Sequence, residues 1–375
     1  MTATATPVDT TKQVTCIDCD VHQAEKPGEI SAHLPRYWRE MNYGVPGGPW
    51  TSPIGVFRAD ARPQGGGPPG SDPQMILDHH MDRFGVDYAI LTGSGILGLG
   101  THPNVDYAAA LARAYNQWLV EKWLSFSDRF FGSVIVCPQH PEAAAKLIRE
   151  FASQHRGRIV QVLMCSGTRL PYGQRFYWPI YEAACELNLP VAVHPGTEGR
   201  GMANGFMAGP PSTYLEWHTN IPQNYMGHVT SLILEGVFEQ FPTLKFVAIE
   251  GGLAWIPGVL WRMDKNWKAL RTLAPSLKRL PSEYAVEHLR FTTQPIEEPE
   301  KPEHLLALLE MIHAERTLMF SSDYPHWDND SPSHGLPKLP PELRQRIMVD
   351  NALALYDLPA ERAVSDPSMN AKPAQ

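Results

Sequence analysis

Asp18-Cys19-Asp20-Val21-His22 sets two carboxylates and an imidazole at every second position. Side chains on a strand alternate faces, so on a strand these three would point to one side, with Ile17, Cys19 and Val21 on the other. Such a trio repels or desolvates itself unless something positive sits between its members. A bound divalent ion supplies that charge. A strand end fraying into solvent, with all three side chains hydrated, satisfies the same residues, and the stretch alone leaves both readings open. Further along, His194, Glu250 and Asp323 each terminate a short apolar run, over 190–193, 245–249 and 318–321. His, Asp and Glu are hard-to-borderline donors suited to Zn²⁺, Mn²⁺ or Fe²⁺.

The elements that must position these residues follow a repeating pattern. Apolar runs at 14–19, 86–91, 130–136, 159–164, 190–193, 245–249, 289–293 and 318–321 read as eight strands. Each is apolar throughout rather than alternating, which marks strands buried on both faces of a parallel arrangement. Helical spacing fills the intervals, at 106–125, 141–151, 175–187, 229–240, 255–273, 303–314 and 342–355, after a first helix with Ser71 or Asp72 as N-cap, Pro73 at its first position and Gly85 at its end. Two stretches rich in Gly, Pro and aromatics, 43–70 and 196–223, interrupt the pattern. The expected fold is an α/β protein: a (β/α)₈ TIM barrel with long loop insertions after strands 1 and 5. An open doubly wound sheet is disfavoured because no G-x-G-x-x-G follows the first strand. A single domain over 14–360 is expected, with disordered tails over 1–13 and 361–375.

Reactive groups in such a barrel stand at the C-terminal ends of strands. That rule places Asp20 and His22 at strand 1, His194 at strand 5, Glu250 at strand 6 and Asp323 at strand 8. It moves the opening stretch from frayed strand to metal site, with Asp18, one pleat deeper, as an acceptor orienting the pair. His326, three residues past Asp323, and His228, read near the start of a helix, are further pocket candidates. Arg169 could grip a substrate carboxylate, and Trp50 and Trp217, in the two long loops, could wall the pocket. Bulk properties exclude several classes. Net charge is −8 over 375 residues without a local Lys/Arg cluster, so no nucleic-acid partner is expected. No apolar run is long enough to span a membrane, residues 1–11 carry no signal-peptide pattern, and a cytoplasmic location is expected. The five cysteines read as reduced thiols, Cys16 and Cys19 included, since no second C-x-x-C completes a zinc cage. No G-x-S-x-G elbow is present, which disfavours a serine hydrolase.

The ordered set Asp20-x-His22, Met81-Asp82-Arg83-Phe84-Gly85-Val86-Asp87, Val193-His194-Pro195, Gly236-Val237-Phe238-Glu239-Gln240-Phe241-Pro242, Ile249-Glu250-Gly251-Gly252 with Trp255-Ile256-Pro257, and Ser321-Ser322-Asp323-Tyr324-Pro325-His326 resembles the amidohydrolase superfamily. The likeness is to its amidohydrolase-related (family 2) branch, which holds aminocarboxymuconate-semialdehyde decarboxylase and γ-resorcylate decarboxylase. The resemblance implies a catalytic divalent metal, Zn²⁺, Mn²⁺ or Fe²⁺, held by Asp20, His22, His194 and Asp323, with Glu250 and His326 as further donors. It implies Asp323 as general acid or base, with Glu250 and His228 as other catalytic candidates. Two features depart from the decarboxylase pattern: Asp20 replaces its Glu or His, and Glu250 stands where those enzymes carry a His. The extra carboxylates could neutralise one ion or two. The expectation is a metal-dependent hydrolase or decarboxylase acting on a small carboxylated substrate. The alternatives are a dinuclear non-haem monooxygenase subunit working with a related chain, and a non-catalytic paralogue in a hetero-oligomer. Relatives are commonly dimers, so a homodimer or a hetero-oligomer with a related chain is expected.

Overall fold

Short runs of β-branched and other apolar residues, too brief for helices and flanked by turn residues, build the centre of the molecule. The computed structural model describes residues 11–363 apart from 42, 48, 49 and 51. Its strands are β1 (Ile17–Val21), β2 (Tyr88–Leu91), β3 (Phe130–Ile135), β4 (Ile159–Cys165), β5 (Val191–His194), β6 (Phe246–Ala248), β7 (Leu289–Thr292) and β8 (Leu318–Met319). Each pairs in parallel with the next. The chain just past β8 returns to β1: Cys19 N donates to Phe320 O at 3.0 Å, Asp323 N to Asp20 O at 3.1 Å and His22 N to Tyr324 O at 2.7 Å. The barrel closes as the uniformly apolar strands require, since a parallel strand buried on both faces leaves no solvated side.

Helices between strands cover the outside, among them Val105–Trp118, Pro141–Gln154, Trp178–Glu186, Pro222–Leu234, Trp255–Leu270 and Pro302–Met311. Their starts are encoded locally. Asp72 caps the first, accepting from Gln74 N at 2.9 Å, with Pro73 at the first position. Asn104 accepts from Tyr107 N at 3.0 Å. Among the described residues no helix is long and apolar enough to cross a membrane, and all five cysteines are free thiols.

Several boundaries differ from the sequence reading. The first strand runs over Ile17–Val21 rather than 14–19, because the amides of Thr15 and Cys16 are taken by the Asp87 carboxylate at 2.7 and 3.3 Å. The stretch 196–223 is not wholly irregular: it holds the helix Tyr214–Asn220 and the start of Pro222–Leu234. Thr213 caps the former by accepting from Glu216 N, and Glu216 reaches back to Ser212 N. Gly236, at φ 77°, ends the helical run before Val237. A helix at Pro281–His288 has no counterpart in the sequence reading. Residues 11–13 and 361–363, expected to be tail, pair as an antiparallel ribbon. Lys12 and Arg362 anchor it, reaching Asp87 Oδ1 at 2.7 and 2.8 Å. The rest of both expected tails lies outside the described residues.

Candidate metal centre

The C-terminal ends of β1, β5, β6 and β8 bring together Asp20, His22, His194, Glu250 and Asp323. One potential ligand atom from each lies within 4.8 Å of all the others, and all five residues are buried. The backbone is shaped for this. The β1–β2 register shifts between Asp18 and Val21, an irregularity in the stretch that carries Asp20. Glu250 and Asp323 adopt positive φ values of 56° and 62°, which for residues other than Gly costs on the order of 1–3 kcal/mol and is concentrated at functional sites. Compensating bonds hold both turns: Glu250 N donates to Thr292 Oγ1 at 3.0 Å and Asp323 N to Asp20 O at 3.1 Å.

The two imidazoles are fixed in one tautomer by backbone. His22 Nδ1 donates to Gly93 O, and His194 Nδ1 to Pro195 O at 3.1 Å. With Nδ1 so engaged, each ring turns its Nε2 toward the cluster, the orientation a metal-ligating His requires. His22 Nε2, His194 Nε2, Asp20 Oδ2 and Asp323 Oδ2 are buried with no hydrogen-bond partner outside the cluster. Four orphaned polar atoms converging in one spot are costly unless a further group satisfies them. His22 Nε2 lies 2.8 Å from Asp323 Oδ1, and His194 Nε2 lies 3.2 Å from Glu250 Oε2 and 3.4 Å from Asp20 Oδ2. Three carboxylates against two imidazoles leave an excess of negative charge. Burial, then Asp323, push the Glu250 carboxyl well up. Burial pulls His22 down, but Asp20 and Asp323 win and carry it to about 9. The protein side of the site thus draws in positive charge, and its donor set fits a divalent cation.

A second layer holds the donors. Thr92 Oγ1, at the end of β2, donates to Asp20 Oδ1 at 2.6 Å. His326 Nδ1 sits 2.5 Å from Asp323 Oδ1, its ring stacked on Phe57 at 5.1 Å. Asp18 Oδ1 accepts from Ser322 N at 2.9 Å and Asp20 N at 3.2 Å, while Oδ2 meets His80 Nε2 at 2.7 Å. Asp18 therefore holds the backbones of the two ligand-bearing strand ends together. His80 stacks on Tyr324 behind them, 4.5 Å away.

A cavity of about 210 Å³ opens onto the cluster. The loops after β1 and β5 roof it. Trp50 and Trp217 both line it and stack on each other, 6.2 Å apart, and Trp50 Nε1 donates to Pro211 O. Tyr214, His218, Trp327 and Asp328 also line it. His218 Nε2 stands 3.5 Å from Asp328 Oδ2 and 3.9 Å from Glu250 Oε1.

Two expected residues, His228 and Arg169, fall elsewhere, and His326 lines the cavity without joining the convergent donors. His228 lies within the helix Pro222–Leu234, not at its start, and lines no part of this cavity. Its Nε2 bonds Ser166 O at 2.8 Å and its Nδ1 accepts from Tyr172 N at 3.3 Å, so both nitrogens are spent pinning the loop after β4. Burial lowers its pKa to about 4, keeping it neutral. Arg169 is exposed and faces a different depression. The cation that lines the cavity is Arg200, whose Nε is buried without a partner. His326 bonds a ligand-type residue but is not one of the five convergent donors. Of the residues not singled out from sequence, Thr92 was the most accessible, being a polar residue closing an apolar run. Arg200 and His218 carry no comparable signal.

The family model described as "Amidohydrolase" matches residues 17–358. γ-Resorcylate decarboxylase of Rhodococcus jostii (strain RHA1) is 28% identical over 255 residues, covering 65% of this chain and 75% of that protein. The 2,6-dihydroxybenzoate decarboxylase from Rhizobium superposes with a TM-score of 0.66 at 20% identity, covering 92% of this chain and 99% of that one. A dihydroxybenzoic acid decarboxylase from Polaromonas sp. JS666, with bound manganese and the inhibitor 2-nitroresorcinol, gives 0.65 at 19% identity, covering 92% and 97%.

Proposed function

The chain belongs to the amidohydrolase family and is an enzyme, and from that premise we propose that it is a divalent-metal-dependent carboxy-lyase acting on a small hydroxylated aromatic acid. The observation that carries the metal is the set of four buried donor atoms with no hydrogen-bond partner outside the cluster, two of them imidazole nitrogens turned inward by backbone hydrogen bonds on the opposite ring nitrogen. Asp20, His22, His194, Asp323 and Glu250 would hold the ion. When bound, it supplies Lewis-acid polarisation of a substrate carboxylate and its neighbouring oxygen. Manganese in the Polaromonas neighbour supports that metal as the first to test. The decarboxylase names of the relatives favour carbon–carbon cleavage over hydrolysis.

The chain's own residues supply the remaining steps. Trp50, Trp217 and Tyr214 offer flat apolar faces for one aromatic ring, in a cavity below the roughly 300 Å³ at which drug-sized sites begin. Arg200 is the cation available to an acidic substituent that the substrate retains. Asp323, kept ionised against burial by His326 and His22, takes a proton from His326 through the Oδ1–Nδ1 hydrogen bond and passes it to the ring carbon that bears the carboxylate. The ring–carboxylate bond then breaks, its electron pair returns to the ring, and neutral CO₂ leaves. His326, which lines the cavity and is partly exposed, then regains from solvent the proton that each turnover consumes.

The test is CO₂ release from a panel of hydroxybenzoates by protein stripped of metal and reloaded with Mn²⁺. Turnover that a chelator abolishes, and that Asp323→Asn lowers by roughly 10²–10⁴-fold, is expected. Metal-independent turnover, or full activity in the Asn variant, would falsify the assignment. Three carboxylates in one cluster also favour a second reading, a dinuclear oxygenase component. Two redox-active ions per chain and O₂ consumption would select it.

A further inference from the structure

The opposite end of the barrel carries a second cavity, of about 410 Å³. Its position follows from the strands: Pro190 precedes β5, Lys245 precedes β6 and Arg290 is the second residue of β7, whereas His194 closes the other end of β5 and Glu250 follows the other end of β6. At about 3.3 Å per residue, β5 alone separates the two sites by roughly 13 Å. Lys245, Arg290, Arg316 and Arg346 line this cavity against a single carboxylate, Glu315, in a chain whose net charge is −8.

These cations are not spent on carboxylates. Among the described residues, Lys245, Arg290 and Arg316 have no carboxylate oxygen within 4.0 Å; Arg346 alone is paired, with Asp350 at 3.7 Å. Lys245 Nζ uses one hydrogen on Glu287 O at 3.0 Å, and Arg290 Nη1 caps Glu287 O and Leu289 O at 3.3 and 2.7 Å. Capping the end of the helix Pro281–His288 accounts for those bonds but leaves the remaining ammonium hydrogens, Arg290 Nε and Nη2, and the whole Arg316 guanidinium unengaged. Arg290 is pushed down to about 10, by burial first and by Arg316 second, and Lys245 is likewise lowered by burial and by Arg290, with Glu287 opposing. Like charges held together in a concavity, at the cost of mutual repulsion, mark a place built for an anion.

We propose that this cavity at the N-terminal end of the barrel is an anion-binding site for a phosphate group, either free or carried on a small metabolite. Fork-shaped guanidinium groups flanking a point-charge ammonium match the tetrahedral array of acceptor oxygens on a phosphate. The volume exceeds that of the cavity at the metal centre, which leaves room for a carrier beyond the phosphate itself.

Isothermal titration of metal-loaded protein with inorganic phosphate and with glucose 6-phosphate, each against sodium chloride of equal ionic strength, tests this. Arg316→Gln removes an exposed, unpaired guanidinium and leaves the fold intact; Lys245→Met is the second variant. Saturable binding to the wild-type protein, weakened at least tenfold in either variant, supports the site. Tighter binding of the ester than of inorganic phosphate assigns the metabolite as its source, and the reverse order assigns free phosphate. Binding that is equal in wild-type and both variants overturns the proposal, as does the absence of saturable heat with both ligands at millimolar concentration.

Discussion

Replacing Thr92 by Val removes one hydroxyl and keeps the side chain's shape. That hydroxyl donates at 2.6 Å to Asp20 Oδ1, and Asp20 is fully buried with its other oxygen aimed at the cluster. Val leaves a buried carboxylate oxygen short of its donor and frees the carboxylate to rotate. A hydrogen bond to a charged group contributes about 1.5–3 kcal/mol. Because roughly 1.4 kcal/mol is a factor of ten, metal affinity should fall roughly 10- to 100-fold, the range seen when partners of ligands are removed. Competition titration against a chelator of known affinity reads this directly, with thermal unfolding of the metal-free protein as the check on folding. Unchanged affinity in a folded Thr92→Val protein would mean that Asp20 is not a ligand, or that its orientation does not matter.

Other perturbations discriminate between roles. Asp87 is held down to about 2, against 3.8 when free; burial opposes this, and Arg362, Lys12 and the Thr15 amide overcome it. Its stabilising contribution is therefore complete above about pH 4 and disappears as pH falls through about 2. Discounted for the exposure of Lys12, Asp87→Asn should cost about 1–2 kcal/mol at neutral pH in urea unfolding, and the cost should shrink to a small fraction as pH falls to about 2 and below; a pH-independent difference would refute the ion-pair account. His228→Leu should destabilise by about 1–3 kcal/mol through the unpaired Ser166 carbonyl and Tyr172 amide, while kcat stays within a small factor. A large loss of kcat at full stability would return His228 to the chemistry. Arg200→Met should raise KM at least about tenfold with a smaller change in kcat, with Arg200→Lys partly restoring it. An unchanged KM would remove Arg200 from substrate binding.

The parts of the site visible in the sequence are those where strand chemistry is interrupted. An imidazole or carboxylate closing an apolar run, as at His194, Glu250 and Asp323, has few structural reasons to be there, so those residues and the barrel could be read together. What hid the rest was backbone geometry. The tautomers of His22 and His194 are set by the carbonyls of Gly93 and Pro195, which no side-chain pattern reports. Arg169 and Arg200 are equivalent as loop arginines in sequence; only the course of the loops after β4 and β5 leaves one in solvent and the other in the cavity. His228 was misread because the helix holding it begins at Pro222, seven residues earlier than the apolar spacing suggested, which turns the ring toward the loop after β4. The same aromatic and Gly-rich composition concealed the Thr213–Glu216 cap and, with it, the helix that carries His218 into the pocket.

The proposed metal centre would join the ends of β1, β5, β6 and β8 through a divalent ion. Anomalous diffraction at the manganese edge, from crystals grown with Mn²⁺, measures it directly. One peak per chain is expected, at about 2.0–2.3 Å from the nearest donors among Asp20, His22, His194, Glu250 and Asp323. No peak there, or a peak coordinated by other residues, would contradict it.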